Sequence, residues 1–266
     1  MKIGFIGTGN MGGALARAAA KGGHTLLLAN RTPAKAEALA KELGGTVCPN
    51  AEAAETAELL FLGVKPQGLP GLAGELAPVL QARRGNAPVV VSMATAVTLR
   101  ELDAMLGGGL PLIRIMPNTP AAVGAGTILY AAQNVTDAQL NAFRAVLAQA
   151  GLLLPLPEAQ IDAASAISGC GPAFCFQFAD ALALGGVRAG LSYPDACRLA
   201  AQTMLGAAEM LLQGGEAPDV LKMRVCSPAG TTIEGVLALE QGGFSYIVQN
   251  AVTAAYRRTV EMTKKG

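Results

Sequence analysis

Histidine is almost missing from this chain. His24 is the only one among 266 residues, and it sits in a Gly-Gly-His turn ahead of an apolar run, as a loop residue does. A histidine-based catalytic dyad and a multi-histidine metal site are thereby excluded. Paired cysteines are missing too. The five cysteines (Cys48, Cys170, Cys175, Cys197 and Cys226) are odd in number and scattered, with no C-x-x-C pair. That fits reduced thiols in a cytoplasm rather than a disulfide framework. Charge is scarce: with 15% charged residues and a formal net charge of +1, there is no basic run for nucleic acid and no acidic tail.

Uninterrupted apolar runs are also lacking, although 52% of the residues are hydrophobic. The longest uncharged stretch, Ile115 to Thr136, is broken by Pro117, Asn118, Pro120 and several glycines. It does not read as a spanning helix, and no membrane is expected. The first apolar run is short and passes straight into a glycine turn, so no signal peptide is expected either. Excess apolar surface in a soluble chain points to contacts between subunits. We therefore expect a homo-oligomer.

What is present begins at the front. Gly7-Thr8-Gly9-Asn10-Met11-Gly12 follows the apolar run Lys2–Ile6 and opens an Ala-rich stretch. A strand turning on glycines into a helix aims bare backbone N–H groups at a pyrophosphate, and the helix dipole favours that charge. The first Gly permits the turn, the second lets the phosphate approach, and the third lets the helix sit close on the strand. The alternative is a glycine turn in an ordinary βα unit.

Apolar runs at Lys2–Ile6, Thr25–Ala29, Leu59–Val64, Val89–Met93 and Leu112–Met116 read as buried parallel strands separated by Ala-rich helices. Thr32-Pro33 is a helix start, and Thr98-x-x-Glu101 is a capping box. Two further strands, Thr127–Tyr130 and Leu152–Leu156, bracket a helix opened by Thr136-x-x-Gln139. From Ile161 onward the period is helical throughout, and Phe244, Ile247, Val248, Ala251, Val252 and Ala255 fall on one stripe. The expected architecture is α/β: a Rossmann-type doubly wound sheet over residues 1–158, followed by an all-helical dimerisation domain over 159–266.

After the second strand, NAD-selective versions of this fold carry an acid for the ribose 2′-hydroxyl. Here stand Asn30-Arg31-Thr32, with Lys35 one turn on. An arginine fork suits a 2′-phosphate, so NADP is the expected cofactor; a solvated Arg31 would leave both cofactors acceptable. Ligands bind at the carboxyl ends of such strands, which places Val64-Lys65-Pro66, Ser92-Met93-Ala94 and Pro117-Asn118 in the crevice. Lys65 could equally be a surface lysine, and Asn118 a turn residue or a cofactor contact. In the helical half, Ser168-Gly169-Cys170-Gly171-Pro172 breaks a helical stretch. Further on, Ser227-Pro228-Ala229-Gly230-Thr231-Thr232-Ile233-Glu234 reads either as a capping box, Thr231-x-x-Glu234, or as a helix start able to hold a small carboxylate.

Taken together these segments resemble the pyrroline-5-carboxylate reductase family, in the family's order and over essentially the whole length. Two positions depart from its usual pattern: Ala229 stands where Ser-Pro-Gly-Gly has glycine, and Cys170 where Ser-Gly-Ser-Gly-Pro has serine. The resemblance implies hydride transfer from NADPH or NADH to the C=N carbon of 1-pyrroline-5-carboxylate, giving L-proline. It implies a cofactor site at Gly7, Gly9, Asn10, Met11, Gly12, Asn30, Arg31, Thr32, Val64, Lys65, Pro66, Ala94 and Asn118. The substrate would lie against Ser168, Ser227, Gly230, Thr231 and Thr232, with Thr232 at the ring nitrogen as the catalytic hydroxyl. It further implies homodimers with intertwined helical domains, often assembled into decamers. A 3-hydroxy-acid dehydrogenase of similar layout is the alternative; it needs a lysine acid. Lys222, the only lysine between Lys65 and Lys264, lies outside any G-x-x-x-K setting.

Overall fold

The computed structural model describes residues 1–263, and the last residues of the expected helical domain lie outside them. Two compact units emerge: Met1–Cys170 joined by the stretch that begins at Ala255, and Gly171–Ala254.

The first unit is built on eight strands: β1 (Lys2–Ile6), β2 (Thr25–Ala29), β3 (Thr46–Val47), β4 (Leu59–Leu62), β5 (Val89–Ser92), β6 (Leu112–Pro117), β7 (Gly126–Gln133) and β8 (Gly151–Pro155). They form one sheet in the order β3-β2-β1-β4-β5-β6-β7-β8. Neighbours are parallel except β6 and β7, which run antiparallel. The connecting helices are α1 (Asn10–Ala20), α2 (Pro33–Leu43), α3 (Asn50–Thr56), α4 (Leu69–Ala82), α5 (Leu99–Met105), α6 (Asp137–Leu147) and α7 (Glu158–Ser168). Strands β1, β2, β4, β5 and β6 are buried along nearly their whole length because both faces are covered. Ile6, Leu60 and Leu62 bury on one side with Leu69 and Leu76 of α4. Phe5 and Phe61 bury on the other with Leu15 of α1, their rings stacked with centroids 4.6 Å apart. Strand order reverses between β1 and β4, which opens a crevice at their carboxyl ends.

Two features escape the hydrophobic pattern. Strand β3 is two residues long and exposed at the sheet edge, too short for any period to register. Strand β7 is antiparallel, joined to β6 by the short 3₁₀ turn Thr119–Val123, where a parallel partner would need a crossover of a dozen residues.

Helix α7 opens the region expected to be helical, yet it packs on β6 and β7. The cause is Arg114 on β6, 3% exposed, whose guanidinium meets Asp162 at 2.5 Å and Glu158 at 3.4 Å. Glu158 and Asp162 stand four residues apart on one face of α7. Glu158 also accepts the Leu99 N–H at the start of α5, at 2.6 Å. Removing a buried partner leaves uncompensated charge, so Arg114→Met should destabilise the fold by about 3–5 kcal/mol, read by denaturant unfolding. A loss under about 1 kcal/mol would show that water already screens both carboxylates.

The second unit is all helix: α8 (Gly171–Arg188), α9 (Tyr193–Gly214), α10 (Pro218–Arg224), α11 (Thr231–Gln241) and α12 (Phe244–Thr263), the last running on into the first unit. Pro172 stands in the first turn of α8, where its missing N–H costs nothing. Helices α8 and α9 form a hairpin closed on Ala183, Ala196 and Ala200. Near its turn the Tyr193 hydroxyl donates to Asp180 at 2.8 Å. Hydrogen bonding to that carboxylate, and then to Cys197, pushes the phenol up to about 12.

Small alanines are nearly all that this unit buries, while Phe176, Leu212 and Tyr246 are 70%, 80% and 69% exposed. On the α12 stripe Phe244, Ile247 and Val248 are exposed as well. A set of helices this apolar outside and this thin inside requires another surface. By length and composition the stretch Glu158–Arg188 is apolar enough to cross a membrane, though α7 and α8 divide it at Gly169-Cys170.

Candidate active site

At the end of β1 the chain turns on Gly7, whose φ of +99° is a backbone form that a side chain resists. Gly7 N–H donates to Ala29 O at 2.8 Å, and Gly63 N–H to Ile6 O at 2.7 Å, locking the turn between β2 and β4. A Cβ on Gly7 would fall 2.5 Å from Gly63 O, and one on Gly12 would fall 2.0 Å from Gly7 O. Gly9 is different: no atom lies within 4 Å of the place its Cβ would take. The first and third glycines thus serve the protein's own packing, and the second leaves open space. Gly9 is also the N-cap of α1, with no side-chain bond to the helix start and no acidic residue in the first turn. Asn10 is exposed and Met11 half-buried beside it. An open approach to uncapped N–H groups on a helix dipole is what a dinucleotide pyrophosphate fits.

Asn30 ties this turn to the next. Its Oδ1 accepts Thr8 N–H at 3.0 Å, and its Nδ2 donates to Thr32 O at 3.0 Å. Asn30 therefore shapes the loop that presents Arg31, Thr32 and Lys35, all exposed past the end of β2. Among the described residues no carboxylate pairs with the Arg31 guanidinium, whereas Arg17 is paired with Glu42 at 2.6 Å. Val64 is half-buried, Lys65 exposed and Pro66 half-buried at the carboxyl end of β4, where Lys65 precedes the 3₁₀ turn Pro66–Gly68. Ala94 is buried past β5, its N–H donating to Ser92 Oγ at 3.3 Å. The next residue but one, Ala96, holds φ +61°. Asn118 is 7% exposed, with both ends of its amide engaged by protein, Thr127 N–H and Ser168 O at 2.8 Å each. The Thr8 hydroxyl is buried without a partner among the described residues. Its position, one of the three variable ones of the glycine motif, carries no signal in the sequence.

His24 precedes β2 at the amino-terminal side of the sheet, opposite these carboxyl ends. The one imidazole is remote from the crevice. Among the described residues no group of histidine, cysteine, aspartate or glutamate could hold a metal ion.

In the second unit Ser227, Pro228, Ala229 and Gly230 form a turn in which Gly230 N–H donates to Ser227 O at 3.0 Å. A Cβ on Gly230 would fall 2.1 Å from Ser227 Oγ. Ala229 stands at φ +54°, a left-handed form costing an alanine about 1–2 kcal/mol over glycine. Here one sequence reading is corrected. Thr231 is not the N-cap of a capping box; Gly230 is the N-cap of α11, and no side chain caps it. The turn ends one residue earlier than the Thr-x-x-Glu pattern suggests, which puts Thr231 inside the helix. The two other boxes do form. Thr98 is closed by Glu101 and Thr136 by Gln139, and the Thr98 N–H and hydroxyl hold the Glu101 carboxyl below its usual range. At α11 the first N–H groups therefore stay open beside the exposed Ser227, Thr231 and Thr232. Uncapped donors with flanking hydroxyls are suited to a small carboxylate. Ser168, the remaining substrate candidate, closes α7 in the first unit, its hydroxyl donating back to Ala164 O at 3.3 Å. Lys222 lies exposed on the seven-residue α10.

Comparison with known proteins places both units. Residues 158–262 match the family described as pyrroline-5-carboxylate reductase dimerisation, and residues 2–96 match the one described as NADP oxidoreductase coenzyme F420-dependent. Pyrroline-5-carboxylate reductase of Synechocystis is 39% identical across 100% of this chain and 99% of its own. That of Pseudomonas aeruginosa is 37% identical across 99% of this chain and 97% of its own. Among solved structures, the Coxiella burnetii pyrroline-5-carboxylate reductase superposes with a TM-score of 0.90 at 32% identity, covering 97% of both chains. A Plasmodium falciparum pyrroline carboxylate reductase with NADP bound gives a TM-score of 0.86 at 29% identity, covering 99% of this chain and 98% of its own. The glycine turn belongs to a nicotinamide-dependent oxidoreductase and the exposed helical faces to a self-associating one. This chain is a member of the pyrroline-5-carboxylate reductase family.

Proposed function

We propose that this enzyme reduces 1-pyrroline-5-carboxylate to L-proline with NADPH, NADH serving as the weaker donor. The observation that carries the reading is the open start of α11: a glycine N-cap, no side-chain cap and three exposed hydroxyls. The reduced nicotinamide, when bound, supplies the hydride for the imine carbon. A protonated imine is already electrophilic, so the chain's own residues need only bind, orient and steady the charge. This accounts for a reductase without a usable histidine.

The N–H groups beyond Gly7, Gly9 and Gly12, with Asn10 and Met11, receive the pyrophosphate. Arg31 and Thr32, on the loop shaped by Asn30, receive the 2′-phosphate. Val64, Lys65, Pro66 and Ala94 flank the nicotinamide end. Ser227, Gly230, Thr231 and Thr232 hold the substrate carboxylate, the Thr232 hydroxyl reaches the ring nitrogen, and Ser168 adds a substrate contact. NADPH is favoured because no carboxylate follows β2 to repel a phosphate. Accordingly Arg31→Glu should raise KM for NADPH at least about tenfold more than for NADH; equal losses would contradict the assignment.

The assembly we propose is a homodimer with intertwined helical domains, and decamers built from it, in the cytoplasm. The exposed α12 stripe supports it, as do five free cysteines. Within the apolar Glu158–Arg188 stretch α7 then packs on its own sheet, held by Arg114, and the exposed apolar face of α8 meets another subunit rather than lipid. The test is direct. NADPH absorbance should fall when 1-pyrroline-5-carboxylate is added to the purified protein; no consumption with this imine would refute the reading.

A further inference from the structure

Asn118 follows the last residue of β6, at the carboxyl-end edge where the nicotinamide is read to lie. Its amide does not cap the 3₁₀ turn it opens. It reaches across 50 residues instead, donating from Nδ2 to Ser168 O at 2.8 Å. On its other side Oδ1 accepts Thr127 N–H at 2.8 Å, which fixes the start of β7. Ser168 is the last residue of α7, so its carbonyl is one of those a helix end leaves without an internal partner. Asn118 supplies that partner from a residue 7% exposed, where side-chain freedom is small and a lost bond is costly. The far end of α7 is anchored separately through Arg114.

We propose that Asn118 is a positioning residue of the reductase: by clamping the Ser168 carbonyl it sets the Ser168 hydroxyl against the strand end that carries the nicotinamide. It acts through Ser168 rather than on the cofactor. The proposal rests on the reading of Ser168 as a substrate contact, and it replaces a direct cofactor contact for Asn118.

Asn118→Asp is the selective variant. It keeps an oxygen for Thr127 N–H and puts an acceptor in place of the donor facing Ser168 O. KM for 1-pyrroline-5-carboxylate should rise about tenfold or more, while the dissociation constant for NADPH, measured by fluorescence, stays within about twofold. Asn118→Ser provides the same comparison should the carboxylate prevent folding. In a Ser168→Ala background the Asn118→Asp effect on KM should largely vanish. Ser168→Ala with unchanged KM would remove the substrate reading of Ser168 itself. Ser168→Ala with a raised KM but an inert Asn118→Asp would overturn the positioning role alone. Weakened NADPH binding with unchanged substrate KM would overturn it too, in favour of a cofactor contact.

Discussion

Gly12→Ala is expected to lower NADPH affinity by about 100-fold or more and to cost about 1–3 kcal/mol of stability. The new methyl would sit 2.0 Å from Gly7 O, and neither partner is a side chain that can swing aside. Helix α1 must back away from β1, taking with it the N–H groups that meet the pyrophosphate. Gly9→Ala separates the two effects. Its methyl has no neighbour within 4 Å and its φ of −71° suits any residue, so the melting temperature should hold. Affinity should still fall, because the methyl stands where the phosphate approaches. Isothermal titration with NADPH beside thermal unfolding reads both. If Gly9→Ala binds normally, the open space at Gly9 is not the phosphate site.

Thr232→Ala is the second large effect. A hydroxyl at the imine nitrogen acts in the chemical step more than in binding, and its loss should reduce kcat by about 100-fold. NADPH affinity should change by less than about twofold, because Thr232 belongs to the other compact unit. The N–H groups of α11 survive the substitution, so substrate KM should move little. Steady-state kinetics with both substrates varied makes the check. Unchanged turnover would remove Thr232 from the mechanism, and a raised KM with normal kcat would make it a carboxylate contact only.

Much of the first unit was readable because its strands are buried on both faces and show it as unbroken apolar runs. β1 and β2 end at the residues expected, Ile6 and Ala29. The two-residue β3 and the direction of β7 leave no trace in hydrophobic period, being set by sheet-edge pairing and by a short turn. The place of α7 turns on Arg114, one charged residue in an apolar strand, whose partners lie 44 and 48 residues away. A lone arginine says that a partner exists without saying where. Thr98 and Thr136 cap their helices as their spacing predicts, while Thr231 does not, since the preceding turn already ends on Gly230. That failure is informative: the box that stays unmade leaves α11 open. In the second unit the helical period was plain, but the faces it marks are exposed in a single copy; in the proposed assembly another subunit packs against them.

The most direct measurement is a crystal structure with NADP and L-proline bound together. The account predicts the proline carboxylate on the N–H groups at the start of α11, beside Ser227 and Thr231, with Thr232 Oγ1 at the ring nitrogen. The ring carbon next to that nitrogen should lie about 3.5 Å from the nicotinamide. Proline bound elsewhere, or its ring carbon well beyond that reach with α11 empty, would contradict it.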